Sequence, residues 1–109
     1  MATARDLGVI AATLEGTTQA PHFDRTAFRV NRNYATLAAD GATANLKLTP
    51  DEQEFMCGMQ PEAFAPVPNA WGHQGWTTVT LAAVTWDELR AVLETAWRHA
   101  VPKRKSRAG

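Results

Sequence analysis

The apolar residues of this chain follow two spacings that alternate along its length. Leu7, Ile10, Ala11 and Leu14 lie three and four apart, the spacing of one helix face, and Thr3 stands where an N-cap belongs. The pattern predicts a helix over 3–14, stopped by Gly16. A polar loop with Pro21 then leads into Thr26-Ala27-Phe28-Arg29-Val30, a strand by its β-branched and aromatic content. Asn31-Arg32-Asn33 reads as a tight turn, because asparagine accepts the left-handed conformation. Tyr34-Ala35-Thr36-Leu37 returns as a second strand. Asp40-Gly41 marks another turn, and Ala44-Asn45-Leu46-Lys47-Leu48 alternates apolar and polar as a half-buried third strand does.

Thr49-Pro50-Asp51-Glu52 is a T-x-x-E capping box with proline at the first helical position. It predicts a helix over 50–59 that offers Phe55, Met56 and Met59 to a core. Pro66 and Pro68 keep the following stretch extended, with room for a short strand, and Trp76-Thr77-Thr78-Val79-Thr80-Leu81 reads as a further strand. Thr85-Trp86-Asp87-Glu88 is a second capping box, with Val84 and Leu89 placed for a hydrophobic staple. The helix it opens, 86–100, carries Leu89, Leu93, Ala96 and Trp97 on one stripe, with Trp86 and Trp97 expected to pack in the core or between helices, and Pro102 limits it.

The order α-β-β-β-α-β-β-α, with tight turns between consecutive strands, predicts a two-layer α+β domain over residues 1–101. Its sheet is mostly antiparallel and its helices pack on one face, with a basic tail at 102–109. With Phe28, Val30, Leu46, Leu48, Val79 and Leu81 turned to the helices, Arg29, Asn45, Lys47, Thr78 and Thr80 face outward. That second face is polar and partly basic, with Trp76 at one edge.

Length and composition narrow the picture further. A chain of 109 residues suits one domain, and a single cysteine, Cys57, forms no internal disulfide. The start lacks the apolar run of a signal peptide, and no segment approaches the roughly 18 apolar residues that span a bilayer. The expectation is a soluble cytoplasmic protein, a monomer or weak homodimer. The net charge of zero conceals an asymmetry: residues 1–102 hold seven basic and eleven acidic side chains, a net −4, and Lys103, Arg104, Lys105 and Arg107 supply the balancing +4. An acidic body is a poor general polyanion binder, whereas the tail carries that electrostatic term alone.

The segment Pro66 to Val79 concentrates two of the four tryptophans, Trp71 and Trp76, among prolines and glycines. Together with Ala27-Phe28-Arg29-Val30, Tyr34-Ala35-Thr36-Leu37 and Leu46-Lys47-Leu48 followed by Thr49-Pro50 and Glu52, it resembles the YjbR-like (MmcQ/YjbR) family of small bacterial proteins. The resemblance runs from the first helix to Pro102 and rests on the order and spacing of these pieces. It implies a small α/β fold related to secretion-chaperone-like folds, and a DNA-binding label that comes from comparison with double-wing modules. Many members carry Gly-Lys in the hairpin turn where this chain has Arg32-Asn33, which keeps one positive charge. Many also have Asn-Lys-x-His-Trp where this chain reads Gly72-His73-Gln74-Gly75-Trp76, so the tryptophan is kept and the lysine is not.

Catalytic constellations are not legible. Ser106 is the only serine, no G-x-S-x-G occurs, and Cys57 has no basic neighbour in sequence to lower its pKa. His22, His73 and His99 lack metal-ligand spacing, and Asp51-Glu52 and Asp87-Glu88 occupy first helical turns, where the dipole favours carboxylates. The sequence therefore points to a non-enzymatic binding module without a cofactor or metal. One candidate function is DNA binding: Arg29, Arg32 and Lys47 on a sheet or wing face, Trp71, His73, Gln74 and Trp76 in the loop, and Lys103, Arg104, Lys105 and Arg107 in the tail. The alternative is a protein-interaction module, chaperone-like or dimerising, that uses the Trp71–Trp76 rim. A third is a small-ligand pocket under the tryptophan loop.

Overall fold

Three threonine caps set the helices. In a computed structural model that describes residues 1–102, Thr3, Thr49 and Thr85 each accept a hydrogen bond from the backbone N–H three residues on. The acid at that position (Asp6, Glu52 and Glu88) reaches back to the threonine N–H. Two otherwise orphaned donors are satisfied at each end. These caps open α1 (Ala4–Thr13), α2 (Pro50–Met59) and α4 (Trp86–Ala100); a fourth, one-turn helix, α3 (Ala70–His73), lies between the last two.

Among the described residues six strands pair antiparallel throughout: β1 (Thr18–His22), β2 (Arg25–Val30), β3 (Arg32–Leu37), β4 (Thr43–Lys47), β5 (Phe64–Pro66) and β6 (Trp76–Thr80), in the spatial order β1-β2-β3-β4-β6-β5. Helix α4 lies across β3 with β2 and β4 on either side, α1 packs along α4, and α2 meets β5. The core between the layers includes Leu7, Ile10, Phe28, Leu46, Val79, Leu89 and Leu93, all nearly inaccessible. Val84 and Leu89 are buried at the start of α4, as a staple requires. The two-layer α+β fold and the three long helices stand as expected.

Four local expectations are corrected. The polar loop with Pro21 is the edge strand β1; proline masks it because a missing N–H argues against a strand, yet an edge tolerates one. Pro66 occupies the opposite edge strand in the same way. The turn at 31–33 shrinks to Asn31 alone, whose φ of +69° joins β2 to β3, so Arg32 and Asn33 already belong to a strand. A register shift next to Phe28 and Arg29 then lets Tyr34 and Ala35 both reach the core. Helix α2 buries no residue: Phe55 and Met59 are 63% and 65% exposed, because the side turned to the body is Glu52, Gln53, Met56, Cys57 and Gln60. Trp86, expected to pack, is 41% exposed, whereas Trp97 packs on the core and donates its indole N–H to the Glu15 carbonyl.

Candidate functional site

The strand registers put a row of small side chains across the sheet face opposite the helices. Ala20, Ala27, Thr36, Asn45, Thr78 and Ala65 are successive cross-strand neighbours. Small residues in a row leave a trough, and larger ones stand beside it: Arg25 and Arg29 two positions either side of Ala27, and Trp76 two before Thr78. The result is an open cavity of about 570 Å³. Thr36 and Asn45 line its floor, where Thr78 Oγ1 donates to Asn45 Oδ1 at 2.7 Å.

One wall is the β1–β2 hairpin. His22 pairs with Arg25, so only Phe23 and Asp24 form the turn. Phe23 holds φ at +59°, a region normally left to glycine or asparagine, and its ring is 93% exposed. The His22 ring meets it edge to face at 4.9 Å. The opposite wall is the tryptophan loop, with Val67, Asn69, Trp71 and Trp76. Trp71 is 57% exposed.

Among the described residues three arginines, Arg25, Arg29 and Arg32, line the cavity, and no aspartate or glutamate does. The Arg25 guanidinium donates from Nε to Thr36 Oγ1 at 2.8 Å and from Nη2 to the Thr36 carbonyl at 3.1 Å, which fixes it half-buried on the floor. Arg29 reaches the Asn31 carbonyl at 3.2 Å, and both Arg29 and Arg32 are exposed. Among the described residues none of the three pairs with a carboxylate. The wall thus presents uncompensated positive charge between two exposed aromatic rings.

The tryptophan loop is pinned rather than free. Asn69 caps α3 by accepting from the Trp71 N–H, and Gln53 Nε2 on α2 donates to the carbonyls of Gly72 (3.0 Å) and Trp76 (2.9 Å). Lys47 Nζ donates to the Gln74 carbonyl at 2.7 Å, and the Leu48 N–H donates to that of Gly75. Gly75 holds φ at +104°, and a Cβ there would collide with the Leu48 carbonyl oxygen.

Arg29, Arg32, Trp71 and Trp76 therefore meet at one cavity. Lys47 and Gln74 do not line it; their backbone-directed bond supports the loop behind Trp76 instead. His73 points to a separate hollow beside Pro50 and Gln53. Lys103, Arg104, Lys105 and Arg107 lie outside the described residues. Sequence reasoning passed over Phe23 and Arg25. The signal for Arg25 was the alternation Arg25-Ala27-Arg29, which places both guanidinium groups on one strand face. For Phe23 there was none, because turn chemistry disfavours phenylalanine at that position.

Elsewhere, burial pushes the Cys57 thiol up, away from the reactive thiolate. Among the described residues no group of three or more His, Cys, Asp or Glu side chains comes close enough to hold a metal ion, and no helix is long and apolar enough to cross a membrane.

A family model described as YjbR matches residues 12–99. The structure is similar to that of the Deinococcus radiodurans protein DR2400, which carries a DUF419 domain. The identity is 26% and the TM-score 0.74, over 88% of this chain and 76% of that one. A Pseudomonas syringae protein shares the fold at 16% identity and a TM-score of 0.65, over 84% of this chain and 93% of that one. No curated protein matches the sequence.

Proposed function

The chain belongs to the YjbR family, and on that premise we propose that its outer sheet face binds nucleic acid, with an unpaired strand as the form the site suits best. One observation carries this reading: three arginines without a carboxylate partner lie between two exposed aromatic rings, Phe23 and Trp71, over a trough floored by Thr36 and Asn45. Guanidinium groups meet phosphate in a planar, bidentate geometry. An aromatic ring gains from a base only when that base shows its π-face, which a stacked duplex hides and a single strand offers. DNA is the simplest source of such a strand. The protein acts here as a non-enzymatic module in the cytoplasm, with the basic tail adding affinity that does not depend on sequence.

Fluorescence anisotropy with a labelled single-stranded oligonucleotide and its duplex, from low to moderate salt, tests this. The single strand should bind more tightly. Trp71→Ala should weaken it by about 1–3 kcal/mol, the worth of one stacked base. Tighter binding of duplex would restore a wing-like mode in which Arg29 and Arg32 straddle the backbone. Absence of binding to either form at low salt sinks the proposal and leaves the Trp71–Trp76 rim, with Trp71 exposed, as a protein-contact surface.

A further inference from the structure

Helix α2 departs from the rule that an amphipathic helix buries its apolar stripe. Phe55 and Met59, one turn apart, stand outside, and beside them a groove of about 470 Å³ runs between α2 and α4. Leu48, Phe55, Met56, Ala91 and Val92 supply an apolar lining, and Asp51, Glu52 and Glu88 stand along it, with no lysine or arginine lining it among the described residues. Helix α2 itself carries three acids and no base. Both helices flank the groove, so it lies on the helical layer, away from the cavity of the outer sheet face.

We infer that this groove receives a basic amphipathic helix from another protein. Its apolar floor takes leucine-like anchors at helical spacing, and its acidic rim pairs with lysine or arginine on the flanks of that helix. Methionine in such a lining adapts to anchors of differing shape. Charge complementarity excludes an acidic or neutral partner helix as the best fit. The chain's own basic tail is a poor occupant, because Ala108 is its only apolar side chain beyond Pro102. A second copy is equally poor: α1 carries Arg5 as its sole base, and the apolar stripe of α4 is already buried.

Two synthetic helical peptides of about four turns test the assignment against the full-length chain. Both carry leucine on one face; one has lysine on the other face and its counterpart has glutamate. The lysine peptide should bind at least about tenfold more tightly at low salt, as opposed rim charges require. Amide shifts should concentrate at Phe55, Met56, Ala91 and Thr95. Phe55→Ser, at a site too exposed to threaten folding, and Ala91→Arg, which plugs the groove with like charge, should each lower that affinity by about tenfold. Neutralising Lys103, Arg104, Lys105 and Arg107 to glutamine should leave it unchanged within about twofold, since the tail lacks anchors. Equal binding of the glutamate peptide, shifts gathered at Arg29 and Trp71, or indifference to both groove variants overturns the assignment. A marked gain on neutralising the tail overturns it too, by making the tail the occupant.

Discussion

Phe23 is the residue where local chemistry and use most visibly conflict. Its left-handed backbone costs on the order of 1–2 kcal/mol, and nothing in the core recovers that cost, since the ring is 93% exposed. Strain held at an exposed aromatic beside a basic cavity is the pattern of a binding residue. Phe23→Asn should relieve the backbone and raise the melting temperature by several degrees, as about 1 kcal/mol does in a domain of this size. The same change should weaken single-strand binding by about 1–3 kcal/mol. Paired thermal melts and anisotropy would check the opposition, and a variant that loses stability refutes it. Gly75 shows the converse case, in which the backbone tolerates only glycine. Gly75→Ala should cost at least about 1–3 kcal/mol, because the added Cβ meets the Leu48 carbonyl at a φ of +104°.

Helix α2 works as a bracket more than as a core element. Glu52 closes its cap by accepting from the Thr49 N–H at 2.9 Å and meets His99 Nε2 near the end of α4 at 2.8 Å. Burial alone would raise the Glu52 carboxyl, but the Thr49 and His99 contacts outweigh it and hold the group below its ordinary value of 4.5. A lowered folded-state pKa gives stability that is present above the unfolded value and fades as pH falls through the folded one. Thermal stability should therefore drop as pH falls below about 4.5, and Glu52→Gln should flatten that decline. Gln53, one residue on, holds the Gly72 and Trp76 carbonyls. Gln53→Ala should speed amide exchange across 69–76, by a local loss of about 1–2 kcal/mol, while the core strands keep their protection. Helix boundaries were readable because capping boxes are local chemistry. The role of α2 was not readable: Phe55, Met56 and Met59 announce a buried stripe, and only the placement of α2 against β5 more than along α4 leaves two of them facing outward. The same limit applies to the site. Arg29 and Trp76 could be assigned to the sheet's outer face from alternation, but Phe23 joins them through a strand that Pro21 hides.

At the scale of the molecule, a formal charge of zero covers two opposed faces. The outer sheet face gathers Arg25, Arg29 and Arg32 without a carboxylate, whereas α2 and α4 together hold six of the eleven acids. A polyanion should therefore approach from one side only. On a single strand each phosphate engaged adds about 0.7 to the slope of log affinity against log salt. Replacing Arg29 and Arg32 by glutamine should flatten that slope by about 1.4, and neutralising the tail by up to about 3. An unchanged slope in the first variant would remove the sheet face from the contact. Pro21 and Pro66, one on each outermost strand, have a consequence for the concentrated protein. Strands left open at both ends of a sheet invite further copies to add on, and repeated addition makes fibres. A proline at each margin denies an incoming chain the donor it would dock against, so growth stalls at its first step. Replacing both by valine should leave the fold intact and yield assemblies that light scattering detects within a storage period over which the parent stays monodisperse.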